Sequence, residues 1–159
     1  MPGKIFEELQ QTKPFRFIEE EAFLNIHRTA NMLMQELVSL LKPYGLSETQ
    51  YNVLRILRGA GERGLACKDI SSRMITREPD ITRLLDRLQK RSLVQRTRSR
   101  EDRRFASVEI TEQGLQILAE LDEPVQQLQV ALLGHLGPKH LSDLIHDLET
   151  VRRTLEVLT

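Results

Sequence analysis

Between Arg73 and Arg104 the chain carries eleven basic residues: Arg73, Arg77, Arg83, Arg87, Lys90, Arg91, Arg96, Arg98, Arg100, Arg103 and Arg104. Five acids oppose them, Glu78, Asp80, Asp86, Glu101 and Asp102. The segment is net +6; the remainder, with 12 basic and 18 acidic residues, is net −6, so the 159-residue chain as a whole is neutral. A dense guanidinium cluster on an acidic scaffold suits the binding of a polyanion, although a solvated charged face balanced by chance has the same composition. Other chemistries lack their parts. No nucleophile sits beside a base, no Gly-rich loop is built for phosphate, and no paired carboxylates share an apolar setting, so an enzyme is not expected. The single Cys67 forbids an internal disulfide, and His27, His135, His140 and His146 show no metal-ligand spacing. No metal or cofactor is therefore expected. No apolar run is long enough to cross a bilayer, and the N-terminus, Met1 to Glu8, is too acidic and interrupted for a signal peptide. These features predict a cytoplasmic protein without a membrane partner. With no Trp and only 4% aromatic residues, its core must be aliphatic.

The elements that hold these cations can be read from apolar spacing. Ile26, Ala30, Leu33, Leu37 and Leu40 recur at helical steps within a long helix from Ile18 to Leu41, stopped by Pro43 and Gly45. Ser47 to Gln50 reads as a capping box for a second helix, which turns Tyr51, Leu54 and Leu57 inward and ends near Gly59 and Gly61. A short helix follows around Cys67 to Met74. From Arg77 to Arg91, Ile81, Leu84, Leu85 and Leu88 define one buried face, and Pro79, Thr82, Arg83, Asp86, Arg87 and Lys90 point the other way. Glu78 is placed at the N-cap and Pro79 at the first helical position. The period then changes. Leu93 to Arg98 and Arg104 to Ile110 read as two antiparallel strands around a polar, Arg-rich tip. Thr111 caps a helix that Pro124 is expected to kink, and Leu141 to Leu158 mark a last amphipathic helix.

A helix, a short helix, a helix with a basic outer face and a basic ribbon follow one another as in a winged helix-turn-helix. The expected class is mainly α with a small β-ribbon (α+β). In such an arrangement the basic helix enters the major groove, the only groove wide enough for it. Thr82 and Arg83 are the first choices for base edges, because a guanidinium matches guanine O6 and N7 with two bonds. Arg73, Arg87 and Lys90 suit phosphates, which fix position and carry little sequence information. Asp80 and Asp86 could accept from cytosine N4, and Asp80 could equally serve the helix dipole.

The runs Ile81 to Leu88, Leu93-Val94, Asp102-Arg103-Arg104 and Val108 to Gly114 together resemble the multiple antibiotic resistance regulator (MarR) family nearly end to end. The most specific part is D-x-R followed by a hydrophobic-Thr-x-x-Gly. Ser92 departs from the pattern, which favours Gly after the recognition helix because Gly accepts a left-handed backbone. The resemblance implies that Arg104 is a wing arginine entering the minor groove and that Asp102 holds its direction. Arg98, Arg100 and Arg103 join it on the wing, and Pro79 joins the recognition helix, as candidate DNA contacts. A narrow minor groove concentrates negative potential and attracts Arg. In isolation, Asp102 and Arg104 read equally as a hairpin-tip ion pair of little worth.

A winged domain needs roughly 60 to 80 residues, and this chain is about twice that length. The expected division is an N-terminal dimerisation helix in 1–45, the winged helix-turn-helix in 46–112 and C-terminal dimerisation helices in 113–159. The apolar outer helices, like the resemblance, imply a homodimer. Its double-stranded DNA site would be pseudo-palindromic, with half-sites about one helical turn apart. The resemblance also implies a repressor released by a small amphipathic or phenolic effector, for which Phe23, His27 and Tyr51 are candidate contacts; core packing or a surface position explains them equally. Cys67 reads as a structural thiol or as a redox switch. The alternative function is a winged-helix module that structures the nucleoid or binds protein, without sequence-specific operator binding.

Overall fold

A computed structural model describes residues 3–98 and 106–158, with the side chains of 98, 106 and 158 excepted. A short helix α1 (Lys4–Glu8), absent from the sequence reading, precedes α2 (Ile18–Leu41). Five residues are too few to show a period. Instead α1 is anchored by buried Ile5, by the Gly3 N–H donating to Glu21 at 2.7 Å, and by an Arg28–Glu8 ion pair at 2.8 Å. A single 3₁₀ turn (Lys42–Tyr44) ends α2 and closes on Gly45, whose φ of 64° is left-handed.

The capping box of α3 (Glu48–Ala60) is formed as expected. Ser47 Oγ accepts from the Gln50 N–H at 3.1 Å, and Gln50 Oε1 accepts from the Ser47 N–H at 3.0 Å. This fixes the rotation of α3 so that Tyr51, Val53, Leu54 and Leu57 are buried. Next come α4 (Cys67–Arg73), α5 (Ile81–Lys90), and the antiparallel strands β1 (Val94–Arg98) and β2 (Ala106–Ile110), with Val94 opposite Ile110 and Arg98 opposite Ala106. Leu65 adds an isolated antiparallel bridge to β2, exchanging hydrogen bonds of 2.9 and 2.8 Å with Val108. Two long helices complete the chain, α6 (Glu112–Leu133) and α7 (Gly137–Leu158). α6 continues through Pro124 as one helix. The lost ladder bond costs on the order of 3 kcal/mol, and burial of Leu121 and Val125 on the same helix offsets it at about 1.5 to 3 kcal/mol each.

The junction from α5 to α6 turns on three residues. The Leu93 N–H donates to the Leu88 carbonyl at 3.0 Å and the Ser92 N–H to Gln89 at 2.9 Å, the paired bonds of a Schellman motif. Ser92 takes the left-handed position of that motif, at φ 59°, so the turn forms without the glycine. Thr111 Oγ1 donates to the Ser92 carbonyl at 2.6 Å and accepts from the Gly114 N–H at 3.2 Å. A Cβ on Gly114 would stand 2.5 Å from the Leu93 carbonyl oxygen, so only glycine lets α6 approach this turn. The Thr-x-x-Gly spacing is thus a cap and a close approach in one motif.

One buried cluster joins the end of α2 (Leu41) to α3, α4 (Ile70), α5 (Leu84, Leu85, Leu88), the ribbon (Val94, Val108) and the first half of α6 (Leu118, Leu121, Val125). The outer parts are different. Among the described residues α7 buries no side chain, and Ile26 and Ala30 of the α2 stripe stay exposed. A groove of about 720 Å³ runs between α2, α6 and α7, lined by Ile26, Leu33, Val130, Leu141, Leu144 and Ile145 among others. Arg58 of α3 donates twice to the Asp122 carboxylate of α6, at 2.8 and 2.9 Å, tying the cluster to the long helix.

Two stability effects follow. Ser92→Gly relieves a left-handed cost of about 1 to 2 kcal/mol and adds about 0.5 to 1 kcal/mol of unfolded-chain freedom, so the variant should gain roughly 0.5 to 1 kcal/mol. Thermal melting should show a midpoint a few degrees higher; a lower midpoint contradicts the assignment. The Arg58 hydrogen bonds hold the Asp122 carboxyl below its usual range, with charge attraction adding and partial desolvation opposing. A depressed folded-state value stabilises above the unfolded value of about 3.9 and is lost as pH falls through the folded one. With the Asp122 side chain 53% exposed, Asp122→Asn should cost no more than about 1 kcal/mol at pH 7. Melting curves of the two proteins should converge in acid, and a gap that persists there assigns the effect to something other than ionisation.

Candidate nucleic-acid interface

α5 has two faces set by its own sequence. Leu84, Leu85 and Leu88 are buried, and Thr82, Arg83, Asp86, Arg87 and Lys90 are exposed, as the spacing requires. The start of the helix differs from the sequence reading. Asp80 is the N-cap, its Oδ1 accepting from the Arg83 N–H at 2.9 Å, and Pro79 lies before the helix rather than in its first turn. A short Asp side chain reaches the early N–H groups better than Glu. Glu78 caps one residue further out, accepting from the Asp80 N–H at 3.2 Å. The plain role for Asp80 is therefore the observed one. Pro79 remains exposed beside Thr82 and Arg83.

Among the described residues, Arg73, Arg83 and Arg87 have no ion pair and all are exposed. Arg73 ends α4, where a cation also complements the helix dipole. The turn from α4 to α5 is fixed to α3 by the Ile75 N–H donating to Asn52 Oδ1 at 2.9 Å. Arg83, Arg87, Glu78 and Asp80 line a groove of about 220 Å³ with Ser47, Thr49 and Gln50 of the capping box. Arg73, Arg83, Arg87 and Lys90 thus lie exposed on α4 and α5, with Glu78 and Asp80 beside Arg83 and Arg87 in the groove.

Two cations of the basic segment are structural instead. Arg96 of β1 donates to Asp86 at 2.6 Å and to Gln89 at 3.0 Å, which fixes the base of the ribbon against α5 and occupies the Asp86 carboxylate. Arg91 donates to two backbone carbonyls of the turn before α3. Arg91 was not separable by sequence from the outward cations, because its partners lie more than 40 positions away. Across the ribbon, Thr97 Oγ1 lies 2.8 Å from Ser107 Oγ and donates to Glu109 at 2.9 Å, stiffening the strands that lead to the tip. Arg98 pairs through its backbone with Ala106, whereas Arg100, Asp102, Arg103 and Arg104 lie outside the described residues.

The candidate effector residues are dispersed. Tyr51 is buried, with the Arg55 guanidinium 5.8 Å from its ring centre, and lines a polar cavity of about 120 Å³ with Arg58, Asp122 and Gln126. Phe23 and His27 contact each other on the outer face of α2, ring centres 6.5 Å apart, and line neither this cavity nor the large groove. Cys67, half-buried, opens α4 and packs against the core. Among the described residues no group of acids, Cys and His is placed to hold a metal, and no helix is long and apolar enough to cross a membrane.

A family model described as MarR family matches residues 46–105, the span from the turn before α3 to the ribbon. The HTH-type transcriptional repressor IacR of Pseudomonas putida is 31% identical over 140 residues, which cover 88% of this chain and 83% of the relative. A crystal structure of a MarR transcription factor from Planctomyces limnophilus is 40% identical and superposes with a TM-score of 0.65, over 86% of this chain and 98% of that one. The transcriptional repressor CouR, solved bound to a 23-mer DNA duplex, is 26% identical with a TM-score of 0.71, over 80% of this chain and 89% of its own. Members of this family are transcription regulators rather than enzymes. A winged helix-turn-helix whose recognition helix turns unpaired arginines outward, matched in sequence and shape over most of its length, belongs to the MarR family of DNA-binding transcriptional regulators.

Proposed function

We propose that this chain is a ligand-responsive repressor that binds a pseudo-palindromic operator as a homodimer. The observation that carries this reading is the outer face of α5, where Thr82, Arg83 and Arg87 stand exposed over a helix anchored by three buried leucines. Thr82 and Arg83 read base edges, and Arg73 and Arg87 meet phosphates beside Pro79. The ribbon carries Arg98, Arg100 and Arg103 to the backbone and Arg104 into the minor groove, with Asp102 orienting it. Residues 46–112 form the reading head, and 1–45 with 113–159 form the dimerisation arms.

The uncovered face of α7 supports the dimer. Among the described residues α7 buries none of its side chains, and Leu144, Ile145 and Val151 are 41 to 56% exposed, an apolar surface too continuous to remain in water. The names of IacR and CouR as repressors support the direction of control. A small amphipathic or phenolic acid would act as effector by shifting the population between compatible and incompatible spacings of the two α5 helices. Tyr51 lines a cavity between α3 and α6, where a ligand could bias that spacing; Phe23 and His27 would join only through the arms.

Selection from a random duplex library tests the reading head. The wild type should retain one consensus against excess random DNA, with affinity falling by about 10³ to 10⁵ between 50 and 200 mM salt if six to ten phosphates are neutralised. Arg83→Ala should lose ~1 to 3 kcal/mol and relax one position per half-site, and Arg104→Ala should weaken discrimination at flanking A·T steps. A protein that selects nothing is instead a structural DNA binder. For the arms, Ile145→Asp should give a folded monomer in analytical ultracentrifugation at micromolar concentration; a dimer that persists moves the interface elsewhere.

A further inference from the structure

We propose that Arg91 is a positioning residue for DNA reading, a guanidinium fork that locks the C-terminal end of the recognition helix to the end of α2. The inference rests on the proposed operator binding and adds a residue that touches no DNA. Arg91 follows α5 directly, and its two terminal nitrogens donate to the carbonyl of Gly45 at 2.6 Å and of Tyr44 at 2.8 Å. Those carbonyls lie past the last turn of α2, where no helical N–H remains to satisfy them. A planar fork suits two adjacent acceptors, whereas a lysine offers a point charge.

The placement gives the contact its meaning. Burial of Leu84, Leu85 and Leu88 sets which face of α5 turns inward and how deeply it sits, but apolar burial is non-directional and does not fix small shifts along the helix axis. Arg96–Asp86 joins α5 to the ribbon that follows it in the chain. Arg91 joins α5 to a different body, the helix whose other end carries the exposed apolar stripe. Gly45 supplies one of the two acceptors from a left-handed backbone, φ 64°, that a side chain would strain. Base reading needs placement within about 0.5 Å, a tolerance that phosphate attraction does not share. Loosening this lock should therefore damage sequence discrimination before it damages general DNA affinity.

The test compares wild type, Arg91→Gln and Arg91→Lys on the duplex that the wild type selects from a random library and on a random duplex of equal length, across 50 to 200 mM salt. Both variants should lose ~10-fold on the selected duplex, keep their affinity for the random one, and leave the salt slope unchanged. Folded state is checked by circular dichroism, and Arg91→Lys, which keeps the charge, serves should the glutamine variant not fold. Equal losses on both duplexes, with the slope reduced by about one, would make Arg91 a phosphate contact and overturn the proposal. Unchanged discrimination in both variants overturns it as well. A wild type that selects no duplex brings down the operator reading and this proposal together, so the two failures are distinct.

Discussion

Burial of three leucines on α5 is the constraint from which the rest follows. Leu84, Leu85 and Leu88 are 7% exposed or less, and each contributes about 1.5 to 3 kcal/mol by leaving water. No exposed ion pair competes with that sum. The leucines thus set the rotation of the helix, and rotation alone decides that Thr82, Arg83 and Arg87 face outward. Everything downstream, including the Schellman turn at Ser92 and the close approach of α6 at Gly114, holds the ribbon in a fixed relation to that face.

Much of this was legible in the sequence because it is local. The capping box at Ser47, the α5 stripe and the Thr111 cap each depend on residues within a few positions, and each formed as expected. The start of α5 was misplaced by two residues because proline preference was weighed above the shorter reach of Asp80. Ser92 adopted the left-handed backbone expected of glycine, since the bonds from Leu93 and Thr111 determine that turn whichever side chain sits there. The short α1 was invisible because its stability comes from tertiary contacts to α2, not from a repeat.

The charge pattern was legible only in part. A count of cations marked a candidate segment but could not sort it: Arg96 and Arg91 hold the frame, and Arg73, Arg83 and Arg87 remain in solvent. Sorting requires distances between residues remote in sequence. The same holds for Tyr51, whose helical spacing places it inward without revealing that Asp122 of α6 lines the same cavity.

The unburied α7 has a consequence for the lifetime of the protein. A lone 22-residue amphipathic helix is marginal in water, so its folded population depends on what covers it. If a second copy does so, mass action ties the order of the tail to abundance: a scarce protein frays there and is cut by proteases, and an abundant one is sheltered. Turnover would then act as a threshold on the level of the regulator, set by how well the exposed face of α7 is covered.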